Sequence, residues 1–332
     1  MININAARPG RVRLPAALAV SAVLLGGVAG CVSDEATPGA AGASGDASAM
    51  TIQFVNPLPS YPTWRLIGDC MKEEAEKNGA DFTMSGPTGQ GLNAGAMIQQ
   101  VQQATATKKD AVITFPAGEG FNQVLKQAQA SGVVTGTFYG PGGADSGADI
   151  NAAPDFGVIG SQLVEAVSAL PGEHVIGLVA AAGTGLGKSW LDGVKAAVAK
   201  TGNVSIAGEV YTGDDAAKAL PQVTGLLTAH PDITQILTHM GTTTPGAVSA
   251  IKARGLQGKA FLLAVGHDNG GTEALKSGSG NLMLMQNVCL LGKDMVDRVV
   301  AKQEGRATPP IPVGIEVVGQ DRMQKYLDEG WV

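Results

Sequence analysis

The chain has 332 residues, 44% of them hydrophobic and 16% charged, with a formal net charge of −6. That length holds two domains of ordinary size. The lack of any basic block argues against a nucleic-acid partner, and the acidic balance speaks only for solubility.

Arg8, Arg11 and Arg13 are the only charged residues among the first thirty, and they precede LPAALAVSAVLLGGVAG and then Cys31. A basic start, a short apolar run and small residues before a cut describe an export signal. A permanent anchor is the competing reading, but about 17 apolar residues containing Pro15 are short for a span. The local VAGC resembles the lipobox of bacterial lipoproteins, which implies a lipid on Cys31 as the new N-terminus. Residues 32–50 are small, polar and without pattern, as in a flexible tether. Residues 1–30 are therefore expected as a leader and 31–50 as a tether. The globular part is expected outside the cell, lipid-anchored to the membrane, where ATP is scarce. Without the leader, 20 basic residues face 29 acidic ones.

From residue 51 onward, apolar runs alternate with amphipathic segments. TIQFV reads as a buried strand, and WRLIGDCMKEEAEKNG and AMIQQVQQATATKK as helices. AVITF, VVTGTF and HVIGLV continue the strands, with FNQVLKQAQASG and VIGSQLVEAVSAL between them. SWLDGVKAAVAK and VTGLLTAH read as helices, and ITQILT and AFLLAVG as strands. Several helical segments meet Gly just past their last periodic residue. This alternation predicts an α/β fold of parallel sheets covered on both faces. Two units fit, divided near residue 152 after the Gly/Asp-rich GPGGADSGADINAAPD. A closed eight-fold barrel competes, but that irregular stretch reads as a crossing between domains.

In open parallel sheets, ligands sit beyond the carboxyl ends of the strands. The loops there are PSYPTW, FPAGEG, FYGPGG, AGTGLGKSW, YTGDD, THMGTTT and GHDNGG. They hold no Ser–His–Asp spacing, no C-x-x-C and no H-E-x-x-H, so no catalytic role is expected. His174, His230, His239 and His267 lack metal-ligand spacing, although His239 and His267 both fall at strand ends. Ala182 to Ser189 fit a permissive phosphate-loop pattern through Gly187 and Lys188, and Asp268 could nominally serve Mg²⁺. Export weighs against that reading. With Cys31 assigned to the lipid, Cys70 and Cys289 are either one disulfide or two buried thiols.

The ordered series of loops resembles the sugar-binding periplasmic proteins of ABC importers, the ribose-binding-like (type I) group, from residue 51 to about 320. PSYPTW lies at that group's Asn-Pro-aromatic-aromatic loop. GADFTMSGPTG and KKDAVITFPAG match its second and third strands, and LLTAHPDITQIL a signature in its second domain. AVGHD stands for Val-Gly-Phe-Asp, LMLMQNVCLLG for the strand ending in a ligand-binding Gln, and IPVGIEVVGQD for the last hinge strand. The resemblance implies two doubly wound parallel-sheet domains joined by three hinge crossings. One lobe would comprise 51–152 plus 287–313, the other 153–286 plus 314–332. It also implies a monomer that needs no cofactor, closes over a small-molecule ligand and meets an ABC permease.

Carried over by position, Tyr61 replaces an Asn and Trp64 matches a stacking aromatic. Phe115 stands at an amide position, Tyr139 at an Asp, Trp190 at an Arg, Asp214 at an aromatic and Met240 at an Asn. Asp268 and Gln286 keep the group's identity. Rings are gained while a cation and several amides are lost. The implied ligand is a small neutral sugar, deoxysugar or polyol, and a nucleoside also suits stacking rings. Bland readings stay open. Trp64 shares helical spacing with Ile67, Met71 and Ala75, Phe115 ends an apolar run, and Tyr139 could line a hinge. Asp214 and Asp268 could be N-caps. In the resembling topology the helices bearing Cys70 and Cys289 lie side by side, which favours their bond. A ligand sensor for a membrane signalling protein and an exported small-molecule enzyme are the alternative functions.

Overall fold

The computed structural model describes residues 49–332 except 90, 141–146, 153–155, 214 and 309–313, with the backbone alone for Asp268. The leader, the tether, Cys31 and Asp214 lie outside the described residues.

The first lobe begins with β1 (Thr51–Val55), α1 (Pro62–Lys77), β2 (Asp81–Ser85) and α2 (Ala94–Ala106). It continues with β3 (Ala111–Thr114), α3 (Phe121–Ala130), β4 (Val134–Phe138) and β5 (Ile150–Ala152). Its sheet runs β2-β1-β3-β4-β5, all parallel. β3 and β4 are buried at every position, as central strands covered on both faces must be. α1 starts on Pro62, whose missing N–H would be unbonded there anyway, and ends near Lys77. Its inner stripe is Trp64, Ile67, Met71 and Ala75.

The second lobe holds α4 (Phe156–Ser168), β6 (His174–Ala180), α5 (Gly185–Val198), β7 (Val204–Tyr211) and α6 (Ala216–Ala229). β8 (Gln235–Thr238), α7 (Thr244–Ala253), β9 (Phe261–Val265), α8 (Thr272–Lys276) and β10 (Gly280–Gln286) follow. The chain then returns to the first lobe as α9 (Val288–Gln303) and comes back as β11 (Ile315–Val318) and α10 (Gln320–Asp328). The second sheet runs β11-β10-β9-β8-β6-β7, and only the β10–β11 pair is antiparallel.

The chain thus passes between the sheets after Ala152, after Gln286 and between Gln303 and Ile315. α9 lies along α1, and a disulfide joins Cys70 to Cys289 with their Cα atoms 5.3 Å apart. α4 and α5 pack so closely that a Cβ on Gly193 would stand 2.0 Å from the Gly157 carbonyl oxygen. One on Gly160 would stand 2.5 Å from the Trp190 carbonyl oxygen.

Two elements depart from the sequence reading. The stretch read as irregular contains β5, three residues too short to show a period and held by pairing to β4. β7 shows no apolar run because it pairs only with β6 at the sheet edge and most of its residues are half-buried. The N-cap of α6 is Asp215, whose carboxylate accepts from the Ala217 N–H, so that role falls one residue after Asp214.

Candidate ligand-binding cleft

The carboxyl ends of the strands of both sheets converge on one cavity. On the first lobe, the loop after β1 is set by Asn56, which is fully buried. Its Oδ1 accepts from the Leu58 N–H at 2.9 Å and its Nδ2 donates to the Trp64 carbonyl at 3.0 Å. The Tyr61 N–H donates to the Leu58 carbonyl at 2.9 Å. A side chain at Gly86 would strike the Asn56 carbonyl oxygen at 2.3 Å, so the loop can lie flat against the end of β2. This turn delivers Tyr61 and Trp64 to the cavity wall.

Phe115 follows β3 and Tyr139 follows β4. Tyr139 has φ +55°, a left-handed conformation uncommon for a bulky residue. Its N–H donates to the Ala152 carbonyl at 2.9 Å, and its hydroxyl donates to Gln286 Oε1 at the end of β10. Burial, and secondarily the nearby Tyr61, push the Tyr139 hydroxyl pKa well above its ordinary value, so it stays protonated and remains a donor. The ring lies nearly parallel to Phe156, with centroids 5.7 Å apart, and meets Trp64 edge-on at 5.9 Å.

The second lobe brings His239, Met240 and Gly241 from the end of β8, Val265 and Gly266 from β9, and Leu284 and Gln286 from β10. Val332 closes the floor through paired backbone bonds with Gln286 of 2.6 and 2.8 Å. The cavity measures about 70 Å³, smaller than the roughly 150 Å³ known to admit benzene. The lobes are therefore drawn shut on their own side chains. A Cβ on Gly241 would lie 2.3 Å from the Tyr61 hydroxyl, which shows how closely they meet.

His239 is the most informative residue of the wall. It is 4% exposed, and neither ring nitrogen has a hydrogen-bond partner among the described residues. Phe156 lies 4.4 Å from its ring centroid and Trp190 5.6 Å. Burial alone lowers its pKa to about 3, so the imidazole is neutral near pH 7. A neutral imidazole offers one donor and one acceptor.

The sequence-predicted residues fall into three groups. Tyr61, Trp64, Phe115, Tyr139, Met240 and Gln286 are brought together in the wall. Trp64 and Phe115 are also core, 5.3 Å apart, so the bland and functional readings coincide there. Trp190 is not brought to the wall; it is fully buried behind His239, its Nε1 without a partner among the described residues. Asp268 lies in the turn His267–Gly271 at the end of β9, its side chain outside the description, as is all of Asp214. Sequence reasoning missed Phe156 and His239 as wall residues. THMGTTT had marked His239 as a strand-end residue; Phe156 carried no such mark.

The phosphate-loop pattern folds as a short loop, Ala182 to Thr184, running into the first turn of α5. Lys188 pairs with Asp192 one turn on, so its ammonium lies along the exposed helix rather than over the loop. A Cβ on Gly187 would lie 2.2 Å from the Ala182 carbonyl oxygen, so helix and loop are in close contact. No group of three or more His, Cys, Asp or Glu among the described residues is placed to hold a metal.

A family profile described as "Periplasmic binding protein domain" matches residues 52–307. The chain belongs to the periplasmic binding protein family. Solved structures similar to this periplasmic binding protein cover nearly their whole length with it. An ABC transporter solute-binding protein from Burkholderia graminis, in complex with D-arabinose, is 21% identical. That match covers 83% of this chain and 97% of that one, with a TM-score of 0.74. GanP, a glucose-galactose binding protein from Geobacillus stearothermophilus, is 17% identical over 82% and 98% of the two chains, with a TM-score of 0.77. A solute-binding protein from Agrobacterium vitis with bound D-fucose is 21% identical over 84% and 98%, with a TM-score of 0.74. At these identities the likeness establishes the fold of this binding protein: two α/β lobes of the type I kind. No functionally curated protein matches it in sequence.

Proposed function

We propose that the chain is an extracytoplasmic solute-binding lipoprotein. It captures a small neutral polyhydroxy ligand, a sugar, deoxysugar or polyol, between closing lobes and delivers it to an ABC permease. The observation that carries this reading is the cavity at the strand ends of both sheets, walled by aromatic rings with Gln286 and the neutral His239 facing in. Rings suit the C–H faces of such ligands, and uncharged donors and acceptors suit their hydroxyls. Neither a nucleophile–base pair nor a metal site enters the reading, so it is one of binding without catalysis. The lipid on Cys31, the monomeric state and the permease are supported by the leader pattern and by family membership.

The test is thermal unfolding against a panel of sugars and polyols. A true ligand at 100-fold over its Kd adds about 2.7 kcal/mol of stability. The reading fails if no panel member raises the melting temperature, and a shift with ATP and Mg²⁺ in their place would point to a nucleotide site. A second reading, a ligand sensor docking on a membrane signalling protein, gains support from one solved relative, the XylFII–LytSN complex, at 17% identity. A sensor gene and no permease gene beside that of this chain would favour it.

A further inference from the structure

The cleft holds a second chamber. Beyond the ring-walled cavity lies another of about 130 Å³, and the two share Phe115, His239 and Met240 as their dividing wall. The chambers differ in chemistry. The inner one is bounded mainly by rings and aliphatic side chains, with Thr63, His239, Gln286 and two tyrosines as its polar groups among the described residues, so a flat ring suits it better than a second set of sugar hydroxyls. The outer one is also partly apolar, through Leu92, Phe115 and Met240, but adds Glu119, Thr184 and the Gly185–Gly187 stretch at the N-terminal turn of α5. Helix N–H groups of a first turn have no intrahelical partner, and an exposed carboxylate accepts hydroxyls well. His239 stands between the chambers, buried, with both ring nitrogens unpartnered among the described residues.

We propose that the ligand is a glycoside whose non-sugar part is a flat uncharged ring, as in a nucleoside or an aryl glycoside. The ring seats in the inner chamber and the sugar in the outer, with His239 hydrogen-bonding at the junction. This deepens the solute-binding reading and rests on it. At about 70 Å³ the inner chamber is smaller than a six-membered ring needs, so the lobes part to admit the ligand and close on it less far than they are closed here.

The test is calorimetric titration of the protein with adenosine, uridine, phenyl β-D-glucoside, their free sugars D-ribose and D-glucose, and adenine, uracil and phenol. At least one glycoside is expected to bind about tenfold or more tightly than both its sugar and its ring. His239→Leu is expected to weaken that glycoside about tenfold, the scale of one or two neutral hydrogen bonds. Glu119→Ala lies on an exposed rim and keeps the test available if His239→Leu does not fold; it is expected to weaken the glycoside several-fold. If a free monosaccharide binds as tightly as its glycosides, or if neither variant weakens the glycoside, the two-chamber proposal is overturned and solute binding stands. Should none of the sugars, rings or glycosides bind while the polyol panel gives a shift, this proposal alone falls; should both panels be silent, both readings fall.

Discussion

His239 concentrates the residue-scale physics of the cleft. Its ring is desolvated beside Phe156 and Trp190, and among the described residues no charge offsets that burial, so its pKa is about 3. An unfolded histidine titrates near 6.5. Between those values the unfolded chain takes up a proton that the folded chain refuses. Stability from this group is therefore complete above about pH 6.5 and is lost as pH falls toward 3. The loss is about 1.4 kcal/mol per pH unit, or roughly 2 kcal/mol on going from pH 6.5 to pH 5. Urea unfolding of the wild type and His239→Leu across that range should show the wild type losing about that amount relative to the variant on acidification. A constant gap would mean that the ring is not sequestered. Tyr139 is the second such residue, holding a left-handed backbone and a hydroxyl bond to Gln286 while packed against Trp64 and Phe156. The sequence placed Tyr139 at a strand-end loop but could not show that its hydroxyl meets Gln286.

At the scale of elements, the approach of α4 to α5 sets where the rings stand. α4 opens with Phe156 and α5 carries Trp190, and both rings pack against His239. The approach depends on glycine because backbone, not side chain, occupies the space beside Gly193 and Gly160. Gly193→Ala must push the helices apart and is expected to cost about 1–3 kcal/mol, as overpacking does. Gly225→Ala on α6 is the control. Its site is exposed, a Cβ there meets nothing within 4 Å, and the change is expected to gain about 0.5–1 kcal/mol from helix entropy. Denaturant midpoints of the two variants should move in opposite directions. Both glycines sit inside amphipathic helical patterns, and nothing in the one-dimensional pattern separates a contact glycine from a solvent one.

At the scale of the whole molecule, the disulfide and the crossings divide the labour. Cys70 and Cys289 are 219 residues apart in sequence, yet both sit on helices of the first lobe. The bond therefore ties the returning α9 to α1 and leaves the hinge free. Chain-entropy reasoning puts its worth at up to about 5 kcal/mol for so long a loop. Reduction, or the double change Cys70→Ser and Cys289→Ser, is expected to lower the melting temperature. It should leave the affinity for a panel ligand within about twofold. A large affinity loss would place the bond in the closing motion instead.

The sequence by itself determined the alternation of strand and helix, the strand-end loops and which rings four of those loops carry. Local hydrophobic period and turn residues carry those facts, and each is written within a few neighbouring positions. Only the tertiary structure decided that Trp190 stands behind the wall, that His239 and Phe156 stand in it, and that Lys188 lies along its helix toward Asp192. Those outcomes depend on which elements meet, and on burial and pairing between residues distant in the chain, which no local pattern encodes.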